Sequence, residues 1–135
     1  MTINRLHREQ TGLVGKIAVV WLLIGALFLL AAFDGIAIAS TTYRVEDLAG
    51  NAAAVAALSY KTNGKAGDAC DAAIAYVTEH DKEARVPTDG CAIDPDQGVA
   101  TVTVRKVAGT IAAQRFSFTR DYTQIEATQA ASPPL

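Results

Sequence analysis

Asp34 and Gly35 stand at the outer end of the longest apolar run in the chain, Ile17–Phe33. A carboxylate at such a boundary is costly unless it reaches water or a partner. It therefore reads either as a docking contact for a basic group or free amine of another subunit, or as the mark of where the apolar run ends. Cys70 and Cys91 are the only cysteines, and an even number in a small exported segment reads as one disulfide. Closing a loop of that length stabilises a fold by about 3 kcal/mol on the chain-entropy model.

Two further groupings are weaker. Asp94-Pro95-Asp96-Gln97-Gly98 has a faint look of a calcium loop, but the other oxygen ligands and the closing Glu are missing, so it reads as a hairpin turn. His80 lies among Glu79, Asp81 and Glu83 and reads as a solvated loop. The sequence has no nucleophile elbow, P-loop, zinc-protease helix or dinucleotide fingerprint. The expectation is a protein without a catalytic centre, cofactor, metal or small-molecule substrate.

The element that must position Asp34 is the apolar run itself. From Ile17 to Ala39 the chain carries one charge. A helix rising about 1.5 Å per residue over that length crosses a hydrocarbon core of about 30 Å. Residues 1–16 hold Arg5, Arg8 and Lys16 against Glu9, whereas residues 41–135 hold 9 basic and 12 acidic residues. The basic end of a single span stays cytoplasmic, which places the rest outside the cell membrane. The expected organisation is a cytoplasmic N-terminus at 1–16, a transmembrane helix at 17–40, an exported α+β domain at 41–131 and a tail at 132–135. Ala37-Ile38-Ala39 before Ser40 also has the small-x-small form of a signal-peptidase site, although the run exceeds a usual secretory core. The net charge of −2 gives no electrostatic case for nucleic acid.

Gly12 and Gly15 are expected to flank the start of the helix. Beyond the span, Thr41–Ser59 is amphipathic, with Val45, Leu48, Ala52, Val55 and Ala56 at spacings of three or four, and Gly50 is expected to mark a bend or close contact. Asn63-Gly64 is a stop signal. A second helix is predicted from about Gly67 to His80, with Ala66, Cys70, Ala73, Ile74 and Val77 on one face and Asp68 as cap or first-turn acid. Cys91–Ile93 and Val99–Val104 form a hairpin that buries Ala100, Val102 and Val104. Ile111–Tyr122 is ambiguous, its RFSFT half alternating like a strand, and Gln124–Ala130 is a final strand. Arg105, Lys106, Arg115 and Arg120 make this late segment basic and are expected mainly to balance the acids of residues 68–96.

The text FDGIAIASTTYRVEDLAGNAAAVAAL, with Asp34-Gly35, Tyr43-Arg44 and the Ala-rich stretch from Asn51, resembles the N-terminal part of TadE/TadG-like proteins of the tight-adherence (Flp) pilus machinery. The resemblance covers about a third of the chain. It implies a single-pass, pseudopilin-like structural subunit of a pilus or secretion assembly, whose partners are the membrane and the other subunits. Gly12, Asp34 and Gly35 become candidates for processing or helix docking. The family pattern puts Glu five residues beyond a processing glycine; counted from Gly12 that position is Ile17. The rival expectation is a stand-alone exported binding module with a cleaved signal peptide or a simple tether.

Overall fold

A computed structural model describes residues 3–135, with side chains described at Gly12 and from Val14 onward. The chain is α+β. One helix, α1 (Ile3–Asn63), runs without a break from the N-terminal region into the folded part. A second helix, α2 (Ala66–His80), packs beside it. Three strands follow, β1 (Cys91–Ile93), β2 (Ala100–Val107) and β3 (Gln124–Ala131), in an antiparallel sheet of order β1-β2-β3. A short helix, α3 (Ser117–Arg120), and one 3-10 turn (Asp121–Thr123) lie between β2 and β3.

α1 has two halves of opposite character. Its apolar half is bare: Leu22, Leu23, Leu27, Phe28, Leu29 and Phe33 are all exposed. Only 6% of its most apolar window is buried, so this chain supplies no core for it. By length and composition the helix could cross a membrane. The other half is the spine of the domain. Val45, Leu48, Ala49, Ala52, Ala53, Ala56 and Ala57 are buried, a stripe at alternating spacings of three and one. The stripe is wider than the sequence expectation, and Val55 lies at its half-buried edge rather than its centre. Alanines let α2 and the sheet approach the helix closely, and each adds helix propensity.

Two expectations about glycines on α1 change. Gly12 and Gly15 lie inside the helix rather than before it. Once nucleated, a long helix propagates across single unfavourable residues. Gly50 makes no close contact, since a Cβ there would meet nothing within 4 Å. The stop at Asn63-Gly64 is as expected. Gly64 adopts φ +68° and donates its N–H to the Tyr60 carbonyl at 2.7 Å, which closes the helix in the left-handed conformation that favours glycine.

α2 buries Ala69, Ala73 and Val77. Ile74, expected on the same face, is 42% exposed and Ala66 is also exposed, because the buried stripe is displaced by about one position toward Ala69. Asp68 is a first-turn acid and the N-cap is Lys65, which makes no side-chain cap bond.

The sheet covers α1 with one face. Ala100, Val102 and Val104 are fully buried, while Thr101 and Thr103 turn outward. Burying each valine contributes about 1.5–3 kcal/mol. β2 runs three residues past the expected end. Arg105, Lys106 and Val107 pair with Glu126, Ile125 and Gln124, and Arg105 Nε donates to Glu126 at 2.7 Å. On the outer face, the Thr103 and Thr128 hydroxyls meet at 2.7 Å.

The RFSFT segment is not a strand. It forms turns and α3, with Phe116 and Phe118 both exposed. The segment connects β2 to β3, which pair directly with each other, and its residues make turns and α3 rather than ladder bonds.

Candidate functional site

The two ends of the domain can be told apart along α1. Near Asn63, a Cβ on Gly98 would meet Pro133 and Tyr60, and Lys61 Nζ donates to the Pro134 carbonyl. β2 starts at this end and descends antiparallel to α1. The segment joining β2 to β3, residues 108–123, therefore forms the opposite end, toward the apolar half of the helix.

There Asp34 is the organising residue. It is 6% exposed, and its carboxylate accepts three backbone N–H groups of the 108–123 loop. Ile111 N donates to Oδ1 at 2.7 Å; Ala112 N and Ala113 N donate to Oδ2 at 3.0 and 2.8 Å. Successive amides converging on one carboxylate form an anion-binding concavity, and charge-assisted bonds of this kind are stronger than neutral ones. The loop also closes on itself. Ala108 N donates to Thr123 O at 2.7 Å, Gln114 Nε2 to Ala108 O at 2.6 Å, and Thr119 Oγ1 to Ala113 O at 2.6 Å. The loop's turn backbone supplies amides with no ladder or helix partner, and Asp34 supplies the acceptors.

Neither sequence reading of Asp34 includes this contact. Its hydrogen bonds are made within the chain, to residues 77–79 positions away. The domain thereby reaches back along α1 beyond residue 41, and the expected junction at Ser40 lies inside a continuous helix. The hydroxyls of Thr41 and Thr42 donate to Ala37 O at 2.7 Å and Ile38 O at 2.9 Å, tying the Ala37-Ile38-Ala39 stretch into the helical spine. Gly12 and Gly35 are exposed, and a Cβ on either would meet nothing within 4 Å. Among the three candidate docking residues, Asp34 alone is engaged by this chain.

Cys70 and Cys91 form the expected disulfide, tying α2 to the first residue of β1. A second tie joins the lower end of α2 to β2. Lys106 Nζ lies 2.6 Å from Asp81 and 3.3 Å from Glu83, with the Lys106 and Asp81 side chains largely buried. Burial works to raise the Asp81 pKa. The Lys106 hydrogen bond and charge, with the backbone N–H groups of Glu83 and Ala84, outweigh it and hold the carboxyl below its usual value. The hydrogen bond that Lys106 donates to Asp81 raises the Lys106 pKa against the opposing effect of burial, and Glu83 adds to the rise.

The remaining candidates are structural. Asp94 Oδ1 accepts Asp96 N at 2.9 Å and Gln97 N at 3.3 Å, and Gly98 takes φ +67°. These are the marks of a side-chain-stabilised hairpin turn. His80 is exposed, stacked on Tyr76 with ring centroids 3.9 Å apart, and its Nδ1 meets the Tyr76 carbonyl at 2.9 Å. Among the described residues, no group of three His, Cys, Asp or Glu is placed to hold a metal ion. Of the late basic residues, Lys106 pairs with Asp81 and Glu83, among the expected acids of residues 68–96, whereas Arg105 pairs with Glu126 on the neighbouring strand. Arg115 and Arg120 pair with no carboxylate among the described residues.

Comparisons with family models, curated proteins and solved structures return no match.

Proposed function

We propose that this chain is a single-pass membrane protein and a structural subunit of a pilus-type or secretion-type assembly, pseudopilin-like in plan, with the α+β domain outside the membrane. The observation that carries the reading is the division of α1. One uninterrupted helix is bare and largely apolar from Val14 to Phe33 and forms the core of a disulfide-tied domain from Val45 to Ala57. A bare apolar helix needs lipid or other helices around it. The basic residues at its start favour a cytoplasmic N-terminus.

Asp34 supports retention of the helix over cleavage after Ala39. Such a cut would detach the residue that holds the 111–113 amides and leave three donors without their acceptor. Asp34 also sets the outer limit of the span. Lipid-exposed irregular backbone is not tolerated in hydrocarbon, so the loop at Ile111–Ala113 belongs outside it. The span accordingly ends at about Phe33 rather than residue 40. The 20 residues from Val14 to Phe33 give about 30 Å of helix, enough for the core.

Within the bilayer, Gly25, Ala26, Ala31 and Ala32 offer sites for close helix approach. Lateral packing of several such helices is what an assembly subunit requires, and the TadE/TadG-like sequence features at Asp34-Gly35 and Tyr43-Arg44 point to the tight-adherence class. The test is to purify the full chain from detergent-solubilised membranes. Co-purification of a pilus-type ATPase and its platform membrane proteins, with loss of piliation or secretion on deletion, supports the reading. Intact piliation, adhesion and secretion in the deletion strain refutes it.

A further inference from the structure

The 108–123 loop presents a surface that Asp34 does not explain. Ile111, Phe116, Phe118 and Tyr122 are exposed, Phe118 by 75%, and the Phe116 and Phe118 rings lie 5.7 Å apart. Two guanidinium groups, Arg115 and Arg120, stand in the same segment without acid partners among the described residues. Four large apolar side chains exposed together on so small a domain mark an interaction surface.

Its place in the fold selects the occupant. The loop is the end of the domain nearest the apolar half of α1, and three hydrogen bonds fix it to Asp34, one residue beyond Phe33. If the bare half of α1 lies in a bilayer, the loop stands at the level of the outer headgroups. Aromatic rings are enriched at that depth, and Arg side chains there meet lipid phosphates. The arrangement is continuous with the span, and Arg115 and Arg120 against the single acid Asp121 leave the loop net positive, the sign that anionic headgroups attract.

We infer that the 108–123 loop is a second membrane contact, in which Ile111, Phe116, Phe118 and Tyr122 enter the outer headgroup layer and Arg115 and Arg120 bind lipid phosphates. The inference rests on the membrane-anchored reading. Because α1 is also the spine of the domain, the contact would fix the tilt and rotation of helix and domain together relative to the bilayer.

Trp21 is the only tryptophan, and this separates the two claims. The full chain is reconstituted in phosphatidylcholine–phosphatidylglycerol vesicles that contain lipids brominated at shallow or deep acyl positions. In the native protein, Trp21 reports the anchor. In a W21F/F118W double variant, the indole reports the loop. The expected result is quenching of Trp21, together with quenching of the position-118 indole that is roughly twofold stronger from shallow than from deep bromines, as an interfacial ring requires. Quenched Trp21 with a water-exposed, unquenched indole at 118 overturns the loop contact and leaves the anchor standing, pointing instead to a protein partner for this face. Unquenched Trp21 overturns the anchor and the inference with it. A W21F/Y122W variant, read in the same way, replaces the first if that one fails to fold.

Discussion

The Asp34 carboxylate accepts the backbone N–H of Ile111 at 2.7 Å across 77 positions of sequence, and the amides of Ala112 and Ala113 share it. One acid at the end of the apolar run thus holds the end of the domain that faces that run. Asp34→Ala removes the acceptor for three amides. Hydrogen exchange at residues 111–113 is expected to accelerate strongly, with β2 and β3 protected as before. Asp34→Asn keeps one acceptor oxygen and turns an amide N–H₂ toward the remaining donor, so protection falls in part. Unchanged exchange in the Ala variant contradicts the role assigned to Asp34.

The disulfide ties α2 to β1 across a sequence separation of 21. Replacing both cysteines by serine should cost about 3 kcal/mol, read as a lower denaturant midpoint with the slope nearly unchanged. Reduction of the native protein should give a shift of similar size. A loss below about 1 kcal/mol would show that the reduced chain already holds these segments together.

The Lys106–Asp81 pair makes stability depend on pH at both extremes. Asp81 has a depressed folded pKa, so its contribution is complete above its unfolded value near 3.8 and is lost as pH falls through the folded value. Lys106 has a raised folded pKa, so its contribution is complete below its unfolded value near 10.5 and is lost as pH rises through the folded value. This pair therefore contributes a plateau between those limits. Lys106→Met should lower stability on the plateau by about 1–3 kcal/mol and reduce both limbs of the profile. Chemical denaturation of the two proteins across pH measures this directly.

The face of α1 against α2 and the sheet carries Ala49, Ala52, Ala53, Ala56 and Ala57, all fully buried. Ala56→Leu forces the elements apart and should destabilise by about 1–3 kcal/mol, seen as a lower melting temperature. Ala54→Leu, at an exposed position two residues away, should have little effect.

Much of the fold is legible in local pattern. The alternation of Ala100, Val102 and Val104 identifies the buried face of β2, Asn63-Gly64 ends α1, and the two cysteines pair as their number suggests. The failures have physical causes. Alanine carries little hydrophobic signal, so Ala49, Ala53 and Ala57 escape notice beside Val45 and Leu48, while Ile74 looks buried and is not. Phe116 and Phe118 alternate like strand residues, but a short apolar alternation does not by itself distinguish a strand from a turn-and-helix connection. Asp34 stands out from its setting at the end of the apolar run, but its partners are backbone amides of Ile111–Ala113. Backbone groups carry no residue-type signature, so only the folded chain reveals that contact.

The central claim is that the apolar half of α1 is kept as the anchor of the domain. N-terminal sequencing of the mature protein, fractionated into membrane and soluble pools, tests it most directly. The account predicts a membrane-bound species that begins at or before Leu13 and retains Ile17–Phe33 and Asp34. A soluble, exported protein that begins at Ser40 would contradict it.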